Sequence, residues 1–393
     1  MFHVPCSMLI TLLIAFFSLI ALMIIHEFGH FIIAKKFGVK VEEFGIGYPP
    51  RIFGKKFGET VYSVNLIPLG AFVKIYGEDG TDACEAGSAG SPVYGVDDYR
   101  SFSNLAIWKR ILICLGGVIA FWIAAIIIFS VLFGIGASVP VGDNDVNGAT
   151  VVNIKIMAVE KNSPADAAGI KVGDEIVGFK TSLLTGIKIN KISDFQNFVK
   201  DSNGKSVNLT INRQGQNTDF ILTPRVSPPA GQGAVGVQLE RMATIIEKVT
   251  WYQAPIQGII FTGNVTLKSL QGIFDVFANL FKGKGVPSGA ELAGPIGITI
   301  FLANAASYGA GFFLYFIGSI SVLVAIFNLF PIPALDGGKL VFLVIEKIMK
   351  KPVPVKWEQA ITAIFFFLLI SMSIFVTIKF DIPRVVDFWK AGL

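Results

Sequence analysis

Histidine and cysteine are both scarce, three of each in 393 residues. Cys6, Cys84 and Cys114 are too few and too scattered for a disulfide framework, which excludes a stapled secreted miniprotein. Cys114 sits in an apolar run and reads as a small hydrophobe. Charge is thin as well: Asp, Glu, Lys and Arg make up 16% of the chain. Soluble domains usually carry about a quarter. So little charge beside 53% hydrophobic residues and 35 Phe excludes both disorder and an ordinary soluble globule. The net charge of +5 is read by position, and no nucleic-acid partner is expected.

What the chain does have is long uncharged apolar stretches between segments of ordinary polarity. A membrane-crossing helix needs about 20 apolar residues. Residues 8–34, 111–137, 309–330 and about 358–379 qualify. The N-terminus has neither a basic region nor a small-residue cleavage site, so the first span is read as a retained helix. Lys and Arg crowd the segments between spans one and two and between spans three and four, which assigns both to the cytosol. The long region 138–308 and both chain ends then face outward, since long domains cross largely regardless of charge. Within it, residues 251–281 mix helically spaced apolar residues with Gln253, Gln257, Asn264, Lys268, Gln271 and Asp275. They are expected to form an interfacial amphipathic helix pair, part of an interfacial region over 229–308.

The first span contains His26-Glu27-Phe28-Gly29-His30, an H-E-x-x-H pattern. Two His four apart share a helix face, so both imidazoles reach one metal, and the Glu between them is placed to take a proton from water. Ionisable groups inside an apolar span are costly and usually functional. His26 and His30 lie nine and five residues before Lys35, roughly 14 and 8 Å from the cytosolic boundary. His3, on a short outward tail, reads as an exposed side chain. A catalytic zinc site takes three protein ligands and keeps one position open. With no further usable His, the third ligand should be a carboxylate, and Asp336 is the best candidate. It follows the third span in Asn328-Leu329-Phe330-Pro331-Ile332-Pro333-Ala334-Leu335-Asp336-Gly337-Gly338. The prolines break the helix, and the two glycines allow a turn that brings the carboxylate back.

H-E-x-x-H in the first span with N-x-x-P-x-P-x-L-D-G after the third resembles the site-2 protease family of intramembrane zinc metalloproteases, peptidase family M50. The arrangement is similar to the bacterial branch that includes regulator of sigma-E protease, with one PDZ domain. Further matches are Asn65 to Lys74, Trp108-Lys109-Arg110 and Gly294-Pro295-Ile296-Gly297. The resemblance implies one zinc ion held by His26, His30 and Asp336, Glu27 as general base, and substrate contacts from Asn328 and Pro333. One departure stands out: the family often has G-P-x-x-N-F in its second span, where this chain reads Gly116-Gly117-Val118-Ile119-Ala120-Phe121. By the resemblance, substrates are single-span membrane proteins such as anti-sigma factors trimmed outside, or remnant signal peptides.

Residues 44–76 carry strand-like stretches and Gly/Pro punctuation, read as a small β element on the cytosolic side. Residues 77–104 are read as a linker. Residues 138–228, with a core at 151–226, read as a compact α/β unit. Its run from Ser163-Pro164-Ala165 through Ala168-Gly169-Ile170-Lys171 to Gly173-Asp174 and Ile176 is similar to bacterial PDZ domains. Such domains bind extended peptides by strand addition. The expected fold class is a polytopic α-helical membrane protein with four transmembrane helices, a membrane-associated β element and one extracytoplasmic PDZ domain. The expected location is the bacterial inner membrane. The lipid bilayer and a peptide at the PDZ domain are the further partners. Two rival readings are a metal transporter, which would want ionisable groups along spans two and four, and a PDZ-bearing scaffold with a vestigial metal site.

Overall fold

A computed structural model describes residues 6–78, 99–136, 138–140, 151–181, 184–189, 191–213, 215–229, 232–244, 249–283, 293–307 and 309–391. His3 and most of the expected linker lie outside them. In chain order the elements are α1 (Cys6–Lys36), β1 (Val41–Phe57), β2 (Thr60–Ile75), α2 (Ile107–Ile135), β3 (Ser138–Pro140), β4 (Val151–Val159), α3 (Pro164–Ala167), β5 (Glu175–Thr181) and β6 (Leu184–Lys188). There follow α4 (Ile192–Asp201), β7 (Val207–Arg213), β8 (Gln216–Leu222), β9 (Val237–Thr244), α5 (Ala254–Phe281), α6 (Pro295–Ser307), α7 (Ala310–Asn328), α8 (Asp336–Met349), α9 (Val355–Val376) and α10 (Ile382–Ala391). The chain forms two compact units, the second made of Val131–Ala254 and Tyr308–Tyr315.

Among the described residues, four helical stretches are long and apolar enough to cross a membrane: Leu9–Lys36, Ile107–Ile135, Ala310–Asn328 and Val355–Val386. They fall on the four expected spans. The second starts earlier than its apolar run, because Trp108, Lys109 and Arg110 belong to its first turns. Residues 254–281 correct one expectation. They form one unbroken helix of 28 residues, not a helix pair. Isolated glycines weaken a helix without ending it, and one of them has a packing role. A side chain on Gly258 would run into the Ser130 hydroxyl and the Ile126 carbonyl of α2. One turn on, Phe261 meets Phe129 edge to face at 4.8 Å.

The first unit also holds a small sheet built from two bent strands. Residues 43–46 of β1 lie between two stretches of β2, 61–64 on one side and 71–74 on the other. Residues 53–57 pair with 60–64 at the far edge. Beneath this sheet, Val39, Val41 and Ile75 pack with Ala34 of α1, Ile113 and Cys114 of α2 and Leu343 of α8. That shared apolar core joins every element that carries the site. Elsewhere in the unit, fully buried Asp381 lies in a π-helical turn after α9 and accepts the Gly294 N–H at 3.0 Å, at the start of α6.

The second unit is built around a sheet of order β3-β9-β4-β5-β7-β8, with β6 added beside β5. Ile154, Ile156, Ile176, Phe179, Phe195, Leu209 and Ile211 make its core. Ser163 caps α3 by accepting the Asp166 N–H, with Pro164 in the first helical position. Buried Asp174 accepts the Lys171 N–H and two bonds from Arg213.

Candidate metal centre

One turn of α1 separates His26 from His30, and their rings meet edge to face at 4.8 Å. His30 is buried, and its Nδ1 lies 2.8 Å from the Ile113 carbonyl of α2. A carbonyl only accepts, so Nδ1 carries the proton and Nε2 keeps its lone pair for a metal. The His26 ring stacks on Phe121 of α2 at 4.7 Å, and its Nδ1 lies 3.4 Å from Glu27 Oε1.

Asp336 arrives from far along the chain. A Cβ on Gly337 would collide with the Phe330 and Leu329 carbonyls, and one on Gly338 with the Ile332 carbonyl. Only glycine lets the proline-broken loop lie this close over the start of α8. The turn so formed puts Asp336 Oδ2 3.0 Å from His26 Nε2 and 3.4 Å from His30 Nε2. Among the described residues these three form the group able to hold a metal, with their donor atoms within 4.8 Å of one another.

The stretch of α2 opposite them is shaped to the same point. Gly29 and Gly116 pass backbone to backbone: a methyl on either would strike the other's carbonyl oxygen. Small residues allow such close helix crossings. Beside them, a Cβ on Gly117 would fall against Nε2 of both His26 and His30. The space a side chain would take is the space that both ring nitrogens face. Two imidazole nitrogens and one carboxylate oxygen are a donor set that zinc accepts, with a further position left open. The residues fit the ion. Sequence reasoning missed this face of α2, although Gly116-Gly117 amid large apolar residues was a visible signal.

The remaining expected residues are placed less centrally. Glu27 has a side chain about one-fifth exposed. Asn328 turns its amide back to the Val324 carbonyl of its own helix at 3.1 Å. Pro333 is half-buried in the loop ahead of Asp336. Ala120, where the family pattern has Asn, sits over Gly29 in the helix crossing. Tyr48 of β1 was not anticipated: partial burial, and after it the Glu27 carboxylate, push its phenol upward. Its ring also stacks on Phe72 at 6.2 Å.

The sequence pattern of peptidase family M50 matches residues 14–372. The chain belongs to peptidase family M50. A protein named "Putative zinc metalloprotease" from Clostridium perfringens is 33% identical over 94% of this chain and 97% of its own length. Proteins of the same name from Brucella suis and Nostoc are 29% and 28% identical, each over 94% of this chain and 95% of their own length. As an M50 peptidase the chain thus matches these relatives over nearly all of their length rather than in a shared module.

Proposed function

We propose that this M50 peptidase is a zinc-dependent endopeptidase that cleaves single-span membrane proteins within or close to the bilayer. One observation carries the reading: Asp336, 310 residues beyond His26, puts a single carboxylate oxygen against both ring nitrogens of the H-E-x-x-H turn. In a helix otherwise apolar enough to cross a membrane, that cluster has no simple packing purpose.

Bound by His26, His30 and Asp336, zinc would polarise the scissile carbonyl and make a nearby water easier to deprotonate. Glu27 is the general base: it takes a proton from the attacking water and hands it to the leaving amine. Its neighbour His26 is kept in one orientation by Phe121, and His30 by the Ile113 carbonyl. Asn328 and Pro333 flank the path of the substrate. The bent sheet of β1 and β2, with exposed Tyr48, Ile52 and Phe53, offers strand edges to a segment unwound from its helix.

In this reading the sheet and the site open to the cytosol, following the basic residues between spans. The unit around β3–β9 is an extracytoplasmic PDZ domain that meets incoming chains. Helices α5 and α6 belong to the membrane interface, consistent with the exposed apolar side chains of Phe274, Phe277 and Phe281. Both chain ends face outward from the bacterial inner membrane. The substrates are membrane-tethered regulators or remnant signal peptides.

The test is purification in detergent, a count of bound zinc, and an assay on a transmembrane substrate with wild type and Glu27→Gln. Zinc retained in both with cleavage lost in the variant is the expected result. Equal cleavage by the two proteins removes Glu27 from the chemistry.

A further inference from the structure

We propose that Arg110 is a positioning residue for the metal centre, holding α8 at the rotation that aims Asp336 at the two histidines. The inference rests on the zinc reading above and deepens it. On α8, Asp336, Lys339, Leu343 and Glu346 follow one another at spacings of three and four, so they share a face. Leu343 is buried against α1 and α2 residues in the core beneath the sheet. Glu346 receives both terminal nitrogens of Arg110, each at 2.8 Å, in a fork-to-carboxylate pair. The two side chains are only 13% and 17% exposed. At the near end, Lys339 pairs with Glu78, just beyond β2. Helix α8 is therefore gripped one turn and three turns beyond its metal-site carboxylate.

What ties Arg110 to the metal rather than to stability alone is its place on α2. One turn on, Ile113 accepts the His30 Nδ1–H, and another turn on, Gly117 clears the space that both rings face. The same face of α2 thus sets the histidines through Ile113 and the carboxylate through Arg110. Arg110 Nε is buried without an acceptor among the described residues, a cost that a surface pair would not carry. Arginine's planar fork fixes an angle as well as a distance, which a lysine would not do.

The experiment uses the full chain in detergent, loaded with zinc or with cobalt. Arg110→Gln and Glu346→Gln are expected to lose zinc to a chelator more readily, with an affinity roughly 10–100-fold lower, the range seen when groups that orient metal ligands are removed. Their cobalt absorption should shift as the carboxylate moves. The reversed pair Arg110→Glu with Glu346→Arg should recover most of the retention. Arg213→Gln, which breaks the Asp174 pair in the other unit, should lower stability and leave zinc release and the cobalt spectrum alone. Should Arg110→Gln not fold, Glu346→Gln, nearly the same size as the native residue, decides the matter. Wild-type release and spectrum in the folded variants overturn the inference and leave the protease reading standing. Equally fast zinc loss from Arg213→Gln also overturns it, because general loosening would then explain everything. A wild-type protein that holds no zinc overturns the protease reading, and this inference with it.

Discussion

Gly29 of α1 and Gly116 of α2 pass so closely that neither has room for a methyl group. The contact lies within the H-E-x-x-H turn itself, between Glu27 and His30. Gly29→Ala forces the helices apart or bends them, and overpacking of this kind costs about 1–3 kcal/mol. Thermal unfolding in detergent checks it: Gly29→Ala and Gly116→Ala should each lower the unfolding temperature. Alanine at Gly134, which has open space around it, should not.

Gly117→Ala makes a sharper prediction. Its methyl would occupy the space that His26 Nε2 and His30 Nε2 face. Bound zinc, counted by atomic absorption, should fall to a small fraction of wild type while the protein stays folded. Undiminished zinc in Gly117→Ala would mean that the ion sits elsewhere.

The parts of this site that could be read in the sequence are those whose chemistry lies in side chains. His26 and His30 announce themselves by helical spacing inside an apolar run, and Asp336 by the proline and glycine breaks around it. The contribution of α2 is quieter. Ile113 acts through a backbone carbonyl, which any residue has, and Gly117 acts by having no side chain. The partner of Arg110 lies 236 residues away, beyond any local pattern. Four membrane-length helices were legible from composition alone. The double pairing of residues 43–46 was not, because it depends on where β2 bends. The unbroken α5 was misjudged because its mix of helically spaced apolar and polar residues was read as a pair of amphipathic helices.

Glu59, in the turn between β1 and β2, gives a pH dependence. Hydrogen bonds from Arg100 and then from Lys35 hold its carboxyl at about 2, below its ordinary 4.5. A depressed value in the folded protein means the contribution is full above about pH 4.5 and fades as the pH falls toward 2. The side chain is 35% exposed, so solvent keeps the effect small. Glu59→Gln should unfold at a slightly lower temperature at neutral pH, and the gap should close across that acid window. A gap that stays constant down to the bottom of the window would count against the ion pair as its source.

Asp381 anchors the start of α6. Its carboxylate accepts the Gly294 N–H, and a Cβ on Gly294 or Gly297 would collide with it. Asp381→Ala strands a buried donor, which costs about 1–3 kcal/mol. Asp381→Asn keeps an acceptor and should cost less. Amide exchange at Gly294 should quicken strongly in the first variant and weakly in the second.

Arg110, Ile113, Gly117 and Phe121 stand on successive turns of one rod, and each answers a different part of the centre. Sliding that rod along its groove by a single residue turns it by about 100°. All four contacts would then be lost at once. The centre has no half-built form to rest in, so damage to the register of α2 is expected to read out as an enzyme switched off rather than one merely slowed.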